Sequence, residues 1–176
     1  MDKVKLIFGT DTGNTDHVIN TYILGELENN DFSHEVVEVD NITSKDWESH
    51  DFYILGIPTW YDGLLQSSWE DYFDDFKQID FTGKTVALFG LGDQIGYAEW
   101  FCDGIGILAK VVLENGGKVI GNWPREGYDY VGSKATLDEN SFYGLPLDED
   151  NEDDLTLKRC KGWVKQLKNE INTAKN

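Results

Sequence analysis

Apolar residues recur along this chain in two alternating rhythms. Val4–Phe8 is a short apolar run that ends at Gly9, and Asn14–Leu27 then carries Val18, Ile19, Tyr22, Ile23 and Leu27 at helical spacing. Glu35–Val39 predicts a second strand. A polar link through Trp47 leads to Phe52–Ile57, a near-continuous apolar strand that Pro58 is expected to stop. Trp69, Tyr72, Phe73 and Phe76 mark one face of a helix, and Thr85–Phe89 predicts a buried strand that runs into a Gly-rich turn from Gly90 to Gly96. Ile105–Leu113 reads as a helix closed by Gly116 and Gly117. Lys118–Gly121 begins a fifth strand, and a last helix from about Leu157 to Ile171 puts Cys160, Trp163, Val164, Leu167 and Ile171 on one face.

Short apolar strands separated by helices predict βαβ units, and so an α/β fold whose parallel sheet is covered on both faces. Five such strands in 176 residues predict one domain over residues 1–176: a three-layer, doubly wound, five-stranded parallel sheet of order 2-1-3-4-5. Such a sheet places its ligand at the carboxyl ends of strands 1 and 3. One stretch exceeds the minimal pattern. Between Gly121 and Asp154 the chain is turn-rich and holds Trp123, Tyr128, Tyr130, Phe142 and Tyr143, which predicts a packed, long insertion in strand 5. Its closing run, Asp148–Asp154, reads as a solvated acidic turn.

Charge narrows the function classes. With 15 Lys and Arg against 33 Asp and Glu, the net charge is −18, the wrong sign for nucleic-acid phosphates or an anionic membrane surface. Two cysteines, Cys102 and Cys160, form no CxxC pair, and His17, His34 and His50 lack ligand spacing, so neither a disulfide framework nor a metal site is predicted. No segment has the apolar length of a membrane helix, and Met1-Asp2-Lys3-Val4 lacks the basic region and apolar stretch of a secretory signal, which predicts a cytoplasmic protein.

The chemistry concentrates in three loops that follow strands. Thr10-Asp11-Thr12-Gly13-Asn14-Thr15 offers three hydroxyls and a glycine and then opens a helix, so hydroxyls, free amides and the positive end of the helix dipole converge. A phosphate suits that cradle. A strand-to-helix turn capped by threonines is the simpler reading, and the T-x-T-G-x-T spacing after strand 1 favours the phosphate. Pro58-Thr59-Trp60-Tyr61-Asp62-Gly63 puts a Trp at the carboxyl end of a central strand, where it can lie against a planar ligand or fold over the next helix. Gly90-Leu91-Gly92-Asp93-Gln94-Ile95-Gly96-Tyr97 allows close backbone approach, adds a second aromatic face in Tyr97 and an acceptor in Asp93. Its G-x-G-x-x-x-G spacing is not a dinucleotide fingerprint, and Gly83-Lys84-Thr85 has Gln78 where a P-loop needs glycine. Together the loops outline a site for a flat heteroaromatic mononucleotide.

These three loops, in this order, resemble those of flavodoxins. The insertion and the run Gly144–Asn151 with Trp163 downstream are similar to the long-chain type, and Tyr97-Ala98-Glu99-Trp100-Phe101 looks closest to the bacterial flavodoxin 2 subgroup. The resemblance implies a flavodoxin-like fold and FMN as cofactor. Thr10, Asp11, Thr12, Gly13, Asn14 and Thr15 would hold its phosphate. Trp60 and Tyr97 would stack on the two flavin faces. Leu91, Gly92 and Asp93 would read the pyrimidine edge, Pro58, Thr59 and Tyr61 would line the ribityl chain and ring, and Cys102 would edge the site. By the same analogy the Tyr61–Asp62 peptide would reorient when the flavin takes up an electron.

The implied role is a low-potential one-electron carrier, not an enzyme. It would be fed by an NADPH-dependent flavodoxin/ferredoxin reductase, pass electrons to acceptors with basic docking faces, and act as a monomer. One carboxylate about 8 Å from the reduced, anionic flavin would disfavour it by about 2 kcal/mol at an effective dielectric near 20, or roughly 90 mV before screening. Asp62, Asp93, Glu99 and Asp103 are the candidate carboxylates. An FMN-dependent NAD(P)H:quinone reductase is the alternative, disfavoured because Trp60 and Tyr97 fill the faces a second substrate would need. A phosphorylated receiver module would require an acidic pair after strand 1, where Thr10-Asp11-Thr12 stands.

Overall fold

The computed structural model describes residues 1–176. Its central sheet has the strand order β2-β1-β3-β5-β6, from β1 (Asp2–Phe8), β2 (Phe32–Glu38), β3 (Phe52–Trp60), β5 (Thr85–Leu91) and β6 (Lys118–Ile120), all paired in parallel. A two-residue strand, β4 (Leu64–Leu65), folds back antiparallel on the end of β3.

Strand alternation divides the core into two layers. Val4, Leu6 and Phe8 of β1, Ile54 of β3 and Phe89 of β5 face one side, with Ile19, Ile23 and Leu27, and with Trp163, Val164 and Leu167 of the long helix α6 (Asp153–Lys175). Ile7, Tyr53, Leu55, Ile57 and Leu88 face the other, under Trp69 and Phe76 of α4 (Ser67–Phe76) and Ile105, Leu108 and Val112 of α5 (Asp103–Glu114). Because both faces are buried, the strands read as continuous apolar runs. Each large aliphatic side chain so enclosed contributes about 1.5–3 kcal/mol. No helix of the structure is long and apolar enough to cross a membrane.

Two elements depart from the pattern-based expectation. The strand expected to stop at Pro58 continues to Trp60, with Pro58 paired to Leu91. Gly9 donates its N–H to the Gly56 carbonyl, so the N–H direction at Gly56, and two residues on at Pro58, points toward β1. The β1 ladder ends at the Phe8–Gly56 pair, so Pro58, which has no N–H to donate, falls just past its end.

The first helix is also irregular, running as α1 (Asn14–Val18), a π turn (Ile19–Ile23) and α2 (Leu24–Asn29), whereas α3 (Ser44–Glu48) is a single short turn after β2. Thr15, Ile19, Ile23 and Leu27 are all buried at steps of four. A wider turn keeps that row on one face where a regular helix would drift.

The fifth strand is built in two pieces. β6 pairs with Thr85–Ala87, and β9 (Leu145–Leu147) continues the same edge against Phe89–Leu91. The chain between them leaves at Gly121 (φ +77°) and contains a small hairpin of β7 (Trp123–Pro124) and β8 (Ser141–Phe142). Phe101 plugs it, packed against Tyr128, Tyr130 and Phe142 at ring separations of 5.8, 5.5 and 6.4 Å.

Candidate functional site

The carboxyl ends of β1 and β3 lie side by side, where the order of crossovers reverses, and the loops leaving them diverge around a cleft. Thr12, Asn14, Thr15, Pro58, Thr59, Trp60, Tyr61, Leu91, Gly92, Asp93 and Tyr97 line this cavity of about 180 Å³ together with Glu149 and Asp150.

At one end the loop after β1 wraps into α1. Gly13, with φ +84°, donates its amide to Thr10 Oγ1 at 2.9 Å and closes the turn. The amides of Asp11, Thr12, Asn14 and Thr15 donate to no backbone carbonyl. Thr15 is 1% exposed and its hydroxyl has no hydrogen-bond partner, although buried polar groups are almost always paired. The same holds for one indole. Trp47, Trp69 and Trp163 donate their ring N–H to Tyr72 Oη, the Gly56 carbonyl and the Gly121 carbonyl, whereas the buried Nε1 of Trp60 donates to nothing. The cleft therefore carries two buried donors with no acceptor, an acceptor-poor set that suits an anion.

The side chains of two residues of this loop bond within the protein. The Asp11 carboxylate turns away and accepts from Gln66 Nε2 at 2.8 Å and Ser67 Oγ at 2.6 Å. Gln66, fully buried, caps α4 by accepting the Trp69 amide at 3.2 Å. The Ser67 hydroxyl, opposed by burial and aided by Gln66, holds the Asp11 carboxyl below its ordinary value. Asp11 thus fastens the loop to α4, and Thr10 closes its turn; neither side chain lines the cleft.

The second loop stores backbone strain. Tyr61 has φ +42°, in the left-handed region that bulky residues rarely occupy, and its carbonyl accepts the Gly63 N–H at 2.9 Å. Gly63 has φ +80°, and a Cβ there would lie 2.6 Å from Asp103 Oδ2, so only glycine fits. Thr59 Oγ1 accepts the Gly104 N–H at 2.9 Å, tying β3 to the start of α5. The Tyr61 ring, well exposed, bridges Trp60 at 5.8 Å and Tyr97 at 6.4 Å.

The third loop is held open by its own acid. Asp93 Oδ1 accepts from the amides of Ile95 (3.0 Å) and Gly96 (2.7 Å) and from Asn151 Nδ2 (2.9 Å). Burial raises its pKa, but these hydrogen bonds outweigh burial and leave it below its ordinary value. Asp93 lines the cleft with its Oδ1 committed to shaping the loop. Cys102, by contrast, does not line the cleft. It is fully buried beneath Gly92, with Sγ facing the Gly90 carbonyl at 3.7 Å, and burial pushes its thiol well above the ordinary value.

Glu149 and Asp150 were not foreseen, because the run Asp148–Asp154 reads as a solvated turn. Asp148 is instead wholly buried and accepts from the Gln94 amide and side chain and from Asn151. The available signal was Leu145-Pro146-Leu147: read as the second half of strand 5, it carries the acidic run to the ligand end of the sheet. Burial, then Asp93 and Asp148, raise the Asp150 carboxyl above its ordinary value. No Lys or Arg lines the cleft, so the site is a donor-rich pocket set in a negative field.

Comparison with known proteins agrees with this geometry. Residues 6–163 match the family model described as Flavodoxin. A flavodoxin of Nostoc sp. is 44% identical over 172 residues, covering 96% of this chain and 97% of that one, and flavodoxin 1 of Escherichia coli is 40% identical over 169 residues, covering 94% and 93%. Among solved structures, a Fusobacterium nucleatum flavodoxin bound to flavin mononucleotide superposes with a TM-score of 0.88 at 35% identity, covering 97% of this chain and 99% of that one.

Proposed function

The chain belongs to the flavodoxin family, and we propose on that premise that it carries single electrons on one flavin mononucleotide seated in the β1/β3 cleft. The carrying observation is the pair of buried, unpartnered donors, Thr15 Oγ1 and Trp60 Nε1, beside the amides of Asp11, Thr12, Asn14 and Thr15. A phosphate supplies the acceptors that these groups lack. The residues present therefore fit the group.

When bound, FMN supplies a ring that accepts and returns electrons one at a time. The protein does the rest by position and field. Thr12, Asn14, Thr15 and the indole N–H of Trp60 would hold the phosphate by neutral dipoles. Trp60 and Tyr97 would flank the ring and keep water from its faces. Leu91 and Gly92 would present backbone groups to its edge. Tyr61, held at positive φ, would supply with Asp62 the peptide that reorients, which breaks the bond from the Gly63 N–H to the Tyr61 carbonyl. Asp150 and Asp93 would make negative charge on the ring expensive and so hold the last reduction step at low potential.

The electron donor is read as an NADPH-dependent flavoprotein reductase and the acceptors as enzymes with basic faces, both drawn by the net charge of −18. The insertion between β6 and β9 supports the long-chain type; the flavodoxin 2 reading rests on the run Tyr97–Phe101 alone. Titrating FMN into flavin-free protein tests the proposal: one equivalent should bind with quenched flavin fluorescence, and the loaded protein should oxidise NADPH only when a reductase is added. Rapid oxidation without a reductase would support the quinone-reductase alternative instead.

A further inference from the structure

The insertion that splits the fifth strand touches the site along one continuous seam. Six hydrogen bonds run in register between residues 129–134 of the insertion and residues 94–103, the stretch that carries Tyr97. Asp129 donates its amide to Gln94 Oε1 at 2.6 Å. Val131 and Gly132 donate theirs to the Ala98 carbonyl at 2.9 and 3.0 Å, and Phe101 donates its amide to the Gly132 carbonyl at 3.2 Å. Ser133 Oγ donates to the Phe101 carbonyl, and Lys134 donates its amide to Asp103 Oδ1 at 2.7 Å.

The two ends of the seam are buried side chains. Gln94 is 4% exposed, and besides Asp129 it grips Asp148 Oδ2 at 3.0 Å and Glu152 Oε2 at 2.7 Å through Nε2. Glu152 is paired to Arg159 at 2.7 Å, and Arg159 lies 4.1 Å over the Tyr128 ring. Asp103 is 1% exposed and its Oδ2 abuts Gly63 of the second loop. Between the anchors the chain passes through Cys102 at φ +53°, a strained conformation that needs its surroundings to hold it.

From this arrangement we infer that segment 129–134 is an internal brace, with Gln94 and Asp103 as positioning residues that fix the Tyr97 side of the cleft for the flavin. The inference rests on the FMN reading above and gives the insertion a task within the site itself. A ring-binding loop held in advance loses less freedom when its ligand arrives. Cutting either anchor should leave the fold intact while freeing Tyr97.

The test uses the flavin-loaded and flavin-free forms of the full chain. Gln94→Ala and Asp103→Ala should each weaken FMN binding about tenfold, the scale of one or two buried hydrogen bonds. Each should also lower the visible circular dichroism of the bound flavin. Asp103→Asn, whose amide oxygen still accepts the Lys134 N–H, should restore both. The double alanine variant should bind little worse than either single one, because one cut already frees the segment. Alanine variants that melt lower but bind FMN with wild-type affinity and dichroism overturn the brace. If an alanine variant does not fold, amide exchange of the wild-type holoprotein decides: Tyr97, Phe101, Gly132 and Lys134 should exchange as one unit, and independent rates overturn the inference. A wild type that takes up no FMN overturns the functional reading and the brace with it, whereas a wild type that binds beside variants that bind equally overturns the brace alone.

Discussion

Thr15 offers a perturbation whose two effects should have opposite signs. Its hydroxyl is buried without a protein partner, and an unpaired buried hydroxyl costs about 1–3 kcal/mol. Thr15→Val keeps the β-branched shape and removes the polar group. The flavin-free protein should therefore become more stable, by about 1 kcal/mol, or roughly 2–4 °C in Tm for a chain of this size. The same change deletes a donor to a phosphate dianion, and hydrogen bonds to charged groups contribute about 1.5–3 kcal/mol. FMN affinity should fall roughly 10- to 150-fold. Urea unfolding of the flavin-free form and fluorescence titration with FMN read the two quantities separately. A variant that is less stable without flavin and binds FMN as tightly as the wild type would refute the assignment of Thr15 to the phosphate.

Three further outcomes are expected. Asp150→Asn removes a carboxylate from the cleft wall and should make the last reduction step easier, raising its potential by up to about 90 mV; a potentiometric titration showing no change would remove Asp150 from the field. Electron transfer from a reductase should slow about tenfold or more between low and high ionic strength, and a salt-independent rate would assign the −18 charge to solubility alone. Asp46→Asn should destabilise the protein by about 2 kcal/mol at pH 7, since it leaves Lys5, 7% exposed in its side chain, with only the exposed Glu35 as partner. The Lys5 hydrogen bond, against burial and with help from Thr43, holds the Asp46 carboxyl below its ordinary value. Its stabilisation is therefore full above the unfolded-state pKa and is lost as pH falls through the depressed folded value, so urea midpoints of the two proteins should converge below about pH 4.

How much of this was legible in the sequence depends on what each residue faces. Apolar runs such as Val4–Phe8 and Phe52–Ile57 show the strands directly because both sheet faces are buried. The three loops are legible because Gly, Thr and Trp at strand ends have few other uses. What the sequence hides is direction. Asp11 and Cys102 sit in the right loops, yet one fastens a helix and the other fills the space under Gly92. Pro58 looks like a stop until it is known that β1 ends at Phe8 beside it. Glu149 and Asp150 reach the cleft only because three residues, Leu145–Leu147, rejoin the sheet across a long insertion, a pairing that no local pattern encodes.

Stepwise reduction of the FMN-loaded protein, followed by its visible spectrum, bears most directly on the central claim that a donor-lined, negatively charged cleft makes this chain a one-electron carrier. Two well-separated one-electron steps, the second at much lower potential and with a distinct long-wavelength band between them, are predicted. A single two-electron step with no intermediate spectrum would contradict it.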